Sequence, residues 1–396
     1  MAKQPIRVFV VEDSPIATVI LNRIFSSAPD IEVVGTARTG RDALHLIPKT
    51  QPDVICTDLH MPQMGGLELT QHLMADYPRP ILVISASVSE EDSATVFQLL
   101  KAGAVDVFPK PQGGSAADYE GIKLALINKV RVLAGVKVFT QHRRFGTAGT
   151  SPSPAPASAS PPVATVSISS PSISSPSISS PSTSWLNSGK TGLGTANLGM
   201  APQIDIRSPR IIAIAASTGG PNALHTVLKE FPANLPIPVV CVQHISEGFL
   251  GGLVAWLDRE CQVSVQVAQT GEQPQAGTVY FAPENYHLEI GSTGQLLCQQ
   301  SPYVSGHRPS ATVLFKSVAT YYRRSVVAAL MTGMGRDGAD GLLDIAQVGG
   351  ITLVQDEASC VVFGMPREAI ALGAAQKVLP LTAIGPQILK LFYPSA

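Results

Sequence analysis

Acidic, hydroxyl and ammonium side chains stand where short apolar runs end in the first third of the chain. Glu12 and Asp13 follow "RVFVV", Asp58 follows "DVICT", Ser85 ends "PILVIS" and Lys110 follows "AVDVFP". Three carboxylates converging on one edge repel one another strongly, so a hard divalent cation such as Mg²⁺ is the expected neutraliser. A hydroxyl and an ammonium on the same edge could bind the oxygens of a phosphoryl group. Far downstream a second pattern ends differently: "RIIAIAASTGGPNAL" runs through six apolar residues to Ser217, Thr218, Gly219 and Gly220. The run reads as a strand buried on both faces, and the stretch "PNALHTVLKEF" after it has helical spacing. A serine at such a turn is either part of a phosphate cradle at a helix N-terminus or a nucleophile with backbone N–H groups beside it.

A nucleophilic serine needs a base within hydrogen-bond reach, and this half offers His225, His244, His287 and His307. His225 lies two turns into the helix after Ser217 and points away from the strand edge. His244 ends "PVVCVQH", the next strand in sequence, and adjacent parallel strands bring their carboxyl ends together, which favours His244. His287 in a hairpin and His307 in "VSGHRPS" could line a pocket. A carboxylate that fixes the base's tautomer is either Asp337, in "LMTGMGRDGADG", or Asp356, in "GITLVQDE". Gly333, Gly335 and Gly338 would let Asp337 fold back over the sheet edge, but residue pattern alone leaves the two open.

The elements that must hold these residues can be read from periodicity. Before about residue 138, "IRVFVVE", "IEVVGTA", "DVICTD", "PILVIS" and "AVDVFP" alternate with amphipathic stretches, which predicts an open parallel sheet with helices on both faces. Ligands in such sheets gather at the carboxyl ends of the strands. After about residue 208 "IIAIAAS", "PVVCVQH", "VSVQV", "SVVAALM" and "GITLVQ" repeat that logic. The segment "TVYFAPENYHLEIGSTGQLLCQQ" reads as an antiparallel insert turning at Gly291–Gly294. Between the halves Ser and Pro dominate, and Ser-Ile-Ser-Ser-Pro recurs in tandem at 167–171, 172–176 and 177–181. Proline at that spacing removes backbone donors and disfavours helix, so the segment reads as a disordered tether.

The N-terminal set, with "TDLHMPQMGGLE" and "FPKP", resembles the receiver domain of two-component response regulators over about residues 5–135. That resemblance implies that Asp58 accepts phosphate from a histidine kinase and that Glu12, Asp13 and Asp58 hold Mg²⁺. Lys110 would contact the phosphoryl group and Ser85 would switch with it. Val107 stands where many receivers carry an aromatic switch residue. "AASTGGP", "VQHI", "YFAPENYHL", "HRPSATVLFKSVA" and "LMTGMGRDGADG" resemble the catalytic domain of the CheB family of chemotaxis protein-glutamate methylesterases over about residues 208–394. It implies a triad of Ser217, His244 and Asp337, with the Met334 backbone N–H and the helix start near Thr218 as oxyanion donors. Gly219 and Gly220 are expected to keep side chains away from an approaching substrate chain. The implied substrate is a glutamyl γ-methyl ester on a chemoreceptor, with glutamine deamidation beside it and no cofactor for the ester step. The phosphate-cradle reading recedes, since neither Gly-Lys-Ser/Thr nor Gly-x-Gly-x-x-Gly is present.

The expected architecture is therefore two doubly wound α/β domains. Residues 1–138 form a flavodoxin-like receiver, 139–207 a Ser/Pro-rich linker, and 208–396 a Rossmann-like methylesterase domain with an antiparallel hairpin. With 396 residues, a net charge of −1 and only 14% charged residues, the chain is no general polyanion binder. The apolar run at the N-terminus is too short for a signal peptide, and no stretch reaches the roughly 18 apolar residues of a membrane span. Five scattered cysteines without a Cys-x-x-Cys pair read as buried thiols, so the expected location is the cytoplasm. Three rival readings are a binding module on a degenerate esterase fold, a DNA-binding output, and an esterase of small molecules. The second lacks a compact basic helix-turn-helix.

Overall fold

A computed structural model describes residues 4–85, 90–111, 116–138 and 209–393. The expected tether, 139–207, lies outside the described residues. The N-terminal sheet is built in the order β1 (Ile6–Val11), α1 (Pro15–Ser26), β2 (Ile31–Ala37), α2 (Gly40–Thr50), β3 (Val54–Asp58) and α3 (Gly66–Asp76). It continues through β4 (Ile81–Ser85), α4 (Glu90–Lys101), β5 (Asp106–Pro109) and α5 (Ala116–Leu133). All its strands are parallel, in the order β2-β1-β3-β4-β5. β3 and β4 are buried along their whole length because helices cover both faces, which is why they read as unbroken apolar runs.

The C-terminal half opens with β6 (Ile211–Ala216), α6 (Gly220–Leu228), β7 (Val239–Gln243), α7 (Leu250–Glu260), β8 (Ser264–Val267) and β9 (Thr278–Phe281). A hairpin of β10 (His287–Ile290) and β11 (Leu296–Gln299) comes next, then α8 (Ala311–Tyr322), β12 (Val326–Leu330) and α9 (Ala339–Gln347). The last elements are β13 (Ile351–Gln355), α10 (Met365–Ala371), β14 (Lys377–Leu379) and α11 (Leu381–Leu389). Seven parallel strands lie in the order β14-β13-β12-β6-β7-β9-β8, so the chain leaves β6 toward β7 and later returns to its other side at β12. That reversal makes the carboxyl end of β6 the crevice of the sheet.

Contrary to the expectation from sequence, Thr278–Phe281 is not part of the antiparallel insert. It pairs parallel with β7 and β8, and only β10 and β11 form the hairpin. Val279, Tyr280 and Phe281 are buried on both faces, which a two-stranded ribbon could not achieve. Of the cysteines, Cys56 and Cys241 are buried, whereas Cys261, Cys298 and Cys360 are half-buried; all five are unpaired. No described helix is long and apolar enough to cross a membrane.

The two sheets share one compact unit. The Phe97 ring on α4 stacks on Trp256 of α7, centroids 5.3 Å apart and planes at 11°. Lys101 Nζ meets Glu260 Oε2 at 2.9 Å, and Asn222 Nδ2 donates to the Leu100 carbonyl at 2.8 Å. Ile214 is fully buried at the middle of β6. Ile214→Val should lower unfolding free energy by about 0.5–1.5 kcal/mol and Ile214→Ala by about 2–5 kcal/mol, measured by urea denaturation. Equal losses for the two would contradict close packing on both faces.

Candidate active site and phosphoacceptor cluster

In the N-terminal half the strand ends bring the expected group together. Lys110 follows β5, its backbone N–H donating to the Ser85 carbonyl at 2.8 Å. Its Nζ lies 2.7 Å from Asp58 Oδ2 and 2.9 Å from Glu12 Oε1. Asp58 Oδ1 accepts the Leu59 N–H at 2.7 Å, and Glu12 Oε1 accepts that of Ser14 at 3.1 Å. Burial pulls the Lys110 ammonium down, but its bonds to Asp58 and Glu12 outweigh this and hold its pKa above the ordinary value. Glu12 shifts up instead, first through burial, with Asp58's charge adding to it.

Glu12, Asp13 and Asp58 each offer one oxygen, all within 4.8 Å of one another, and Glu12 Oε2 is buried with no partner among the described residues. A hard cation with oxygen ligands fits that set, since it would satisfy the orphaned oxygen and reverse the upward pressure on Glu12. Ser85 is buried at the end of β4, on the same edge.

The second site is built from three adjacent strands. Ser217 follows β6, and its N–H donates to the Thr332 carbonyl at 2.9 Å beyond β12. Its carbonyl accepts Gly220 N–H at 2.7 Å and Gln243 Nε2 at 2.8 Å. Ala216 pairs with Gln243, so His244 comes next beside Ser217, its N–H on the Ala216 carbonyl at 3.0 Å. His244 Nε2 lies 2.9 Å from Asp337 Oδ2. The contact is short but poorly directed for a hydrogen bond, and among the described residues neither buried ring nitrogen of His244 has a well-directed hydrogen-bond partner. Such bonds commonly align only once substrate is bound.

Asp337 is 1% exposed and sits against the N-terminus of α8. Oδ1 accepts from Ser310 Oγ at 2.6 Å and Thr312 N–H at 3.1 Å, while Oδ2 accepts from Ala311 N–H at 2.7 Å. Burial pushes this carboxyl up, yet His244, Ser310 and Ala311 outweigh it and hold it far below the usual carboxylate range. The competitor, Asp356, is used elsewhere: its Oδ1 takes Ser359 N–H at 3.0 Å and Ser359 Oγ at 2.6 Å.

The other histidines separate clearly. His225 packs on Trp256, ring centroids 4.9 Å apart, with Nε2 3.6 Å from Glu260. His287 is fully buried, its Nδ1 accepting Ser310 N–H at 3.1 Å and its Nε2 3.0 Å from the Pro302 carbonyl. It therefore braces the loop behind Asp337. His307 lies flat on His244.

Gly219 and Gly220 do not leave open space. Gly219 has φ +76°, and a Cβ there would lie 2.6 Å from Val361 Cβ; one on Gly220 would strike the Gln243 amide. They let the turn close on its neighbours. Thr218 is buried at the start of α6, its carbonyl accepting Thr332 Oγ1 at 2.9 Å, and Met334 is 53% exposed on the loop after β12. That loop borders a cleft of about 710 Å³, which Arg131 and Val132 of α5 also line. Residue pattern did not mark Ser310, Thr332 or Gln243, although a serine three residues before Val313 is the ordinary signal of a helix cap.

Fold and sites together define a class: a response-regulator receiver followed by an α/β esterase-type domain. The family models match in that order, "Response regulator receiver domain" over residues 8–116 and "CheB methylesterase" over 212–388. A protein-glutamate methylesterase/protein-glutamine glutaminase of Nitrosospira multiformis is 37% identical over 386 residues, 98% of this chain and 97% of that protein. One from Desulfitobacterium hafniense is 36% identical over 392 residues, 98% of each. The chain belongs to the protein-glutamate methylesterase/protein-glutamine glutaminase family. The crystal structure of the Thermotoga maritima CheB methylesterase catalytic domain is 34% identical, with a TM-score of 0.45, covering 47% of this chain and all of that one.

The geometry makes two outcomes testable. Gly333 passes so close to Ser217 that a Cβ would lie 2.6 Å from Ser217 Cβ. Gly333→Ala should displace the serine and lower kcat about 10²-fold or more, read as ester turnover beside a melting curve that stays cooperative. Unchanged turnover would show that the serine's place is not set by this contact. The second concerns acid stability. Because the folded-state pKa of Asp337 is depressed, its stabilisation is present above the ordinary value of 3.8 and is lost as pH falls through the lower folded one. Asp337→Asn should flatten the acid limb of stability against pH; denaturation midpoints from pH 7 downward test this, and an unchanged limb would refute it.

Proposed function

We propose that this chain is a phosphorylation-controlled serine hydrolase that cleaves glutamyl γ-methyl esters on chemoreceptors, releasing methanol, and that deamidates receptor glutamines. The observation that carries the reading is the succession of Ser217, His244 and Asp337 just past the ends of β6, β7 and β12, with His244 and Asp337 2.9 Å apart. Ser217 Oγ attacks the ester carbonyl while His244 takes its proton, and Asp337 stabilises the imidazolium. The Met334 N–H and the start of α6 near Thr218 hold the oxyanion; one such donor commonly accounts for about 10² to 10³ in rate. His244 then protonates the departing methoxide, giving methanol. Water attacks the acyl-enzyme with His244 again as base, and the glutamate carboxylate and free Ser217 result.

In the receiver, Asp58 takes a phosphoryl group from the chemotaxis histidine kinase. Glu12, Asp13 and Asp58 would hold Mg²⁺, which when bound neutralises charge on the transferring phosphoryl group. Lys110 and Ser85 bind its oxygens. Residues 1–138 serve as receiver, 139–207 as tether and 208–396 as esterase. Control arises because Ser246, two residues past His244, donates its hydroxyl to the Val107 carbonyl of β5 at 3.4 Å. Val361 and Val362 also pack against the receiver core. A receiver in this position obstructs a receptor helix, and phosphate at Asp58 shifts the balance toward an open form.

Methanol release from methylated receptor tests the reading with wild type and Ser217→Ala, each with and without a small phosphodonor and Mg²⁺. Ser217→Ala should lose at least about 10³ in kcat. Phosphodonor should raise wild-type turnover, and Asp58→Asn should abolish that rise. Release that persists without the serine hydroxyl would overturn the mechanism. Turnover of simple methyl esters but not of receptor would favour a small-molecule esterase.

A further inference from the structure

Residues 301–310 enter the active site twice. Ser310 caps α8 and donates to Asp337. Three residues earlier, His307 lays its ring on that of His244, centroids 3.9 Å apart and planes within 4°. Val304 and His307 exchange N–H···O bonds of 3.1 and 2.9 Å, around a turn with φ +54° at Ser305 and +79° at Gly306. Arg308 donates to the Ser301 carbonyl at 3.1 Å, and His287 ties Ser310 to Pro302. The segment that supplies one of Asp337's hydrogen bonds, that of the Ser310 hydroxyl, thus also sets the place of His307.

We propose that His307 is a positioning residue for the Ser217 reaction, stacking on His244 so that the imidazole plane stays in line with Asp337 throughout proton transfer. The proposal rests on the function assigned above. The His244 side chain has one polar contact, Nε2 against Asp337, and among the described residues its other nitrogen has no partner. A ring held at one point can swing out of plane about Cβ–Cγ. A second ring 3.9 Å from its face blocks that swing. Sliding within the plane, which would direct the N–H onto the carboxylate, remains free.

The stack also suits the charge that His244 acquires. The face of an uncharged aromatic ring attracts a cation, whereas two charged rings would repel. Burial first, and then the neighbouring His244, push the His307 pKa down to about 4, so His307 is uncharged when His244 takes the proton.

The test uses the full chain as wild type, His307→Ala, His307→Leu and His307→Phe, with melting curves to establish folding. On methylated receptor, Ala and Leu should lower kcat about 10- to 100-fold with KM unchanged, and Phe should restore it to within about threefold. A second readout needs no turnover: imidazole carbon–proton signals in histidine-labelled chain, with His244→Gln to assign His244. The His244 signal should be single and ring-current shifted in wild type and in Phe, and should move and broaden in Ala and Leu. Wild-type kcat and an unmoved His244 signal in Ala and Leu would overturn the proposal. Phe as defective as Ala would also overturn it, assigning the effect to imidazole chemistry rather than stacking. If neither Ser217→Ala nor His244→Gln affects turnover, the assigned function fails, and the spectra alone decide the stack.

Discussion

The C-terminal half is arranged around one buried negative charge. A carboxylate taken out of water costs several kcal/mol unless its oxygens are met, and Asp337 is almost wholly enclosed. Its oxygens face the first turn of α8, where unpaired backbone N–H groups and the helix dipole both favour an anion. The cap residue Ser310 adds a hydroxyl, and Thr312 Oγ1 holds the next backbone N–H, that of Gly338, at 2.8 Å. His244 Nε2, 2.9 Å from Oδ2, completes the set. Removing α8 from this position would leave the charge uncompensated, so the helix, the loop before it and the loop after β12 stand or fall together.

The carboxylates of the N-terminal half present the opposite situation. Lys110 is shared between Asp58 and Glu12, and one Glu12 oxygen is left buried without a partner. Asp337 is matched on both oxygens, whereas the Glu12, Asp13 and Asp58 cluster is under-matched among the described residues. The two carboxylate sets therefore differ in electrostatic completeness. The apolar contact of α4 with α7, through Phe97 and Trp256, joins the two within one unit. Val107 is buried in that shared core and offers its backbone carbonyl to Ser246.

Chemistry at strand ends was legible because the signal is local. An unbroken apolar run marks a strand covered on both faces, and the first polar residues after it must lie at the sheet's carboxyl edge. Glu12, Asp58, Ser85, Lys110, Ser217 and His244 all obey that rule. Both parallel sheets were legible for the same reason, as was the Gly291–Gly294 turn between β10 and β11. Thr278–Phe281 was misplaced because a four-residue strand carries too little pattern to name its partner; the space beside β7 decided it.

Taken by itself, the chain's sequence determined the two α/β halves, the Ser/Pro-rich stretch between them and the residues standing at each reactive edge. Only tertiary structure decided which aspartate meets His244. Asp337 and Asp356 both follow apolar runs, but one faces the amino end of α8 and the other a hydroxyl in its own turn. It also decided that His287 braces a loop while His307 covers the His244 ring, and that Val361 and Gln243 occupy the room left by Gly219 and Gly220. The physical reason is range. Periodicity and turn chemistry act over a few residues, whereas the partner of a buried charge or the ring on an imidazole's face comes from elements far away in sequence.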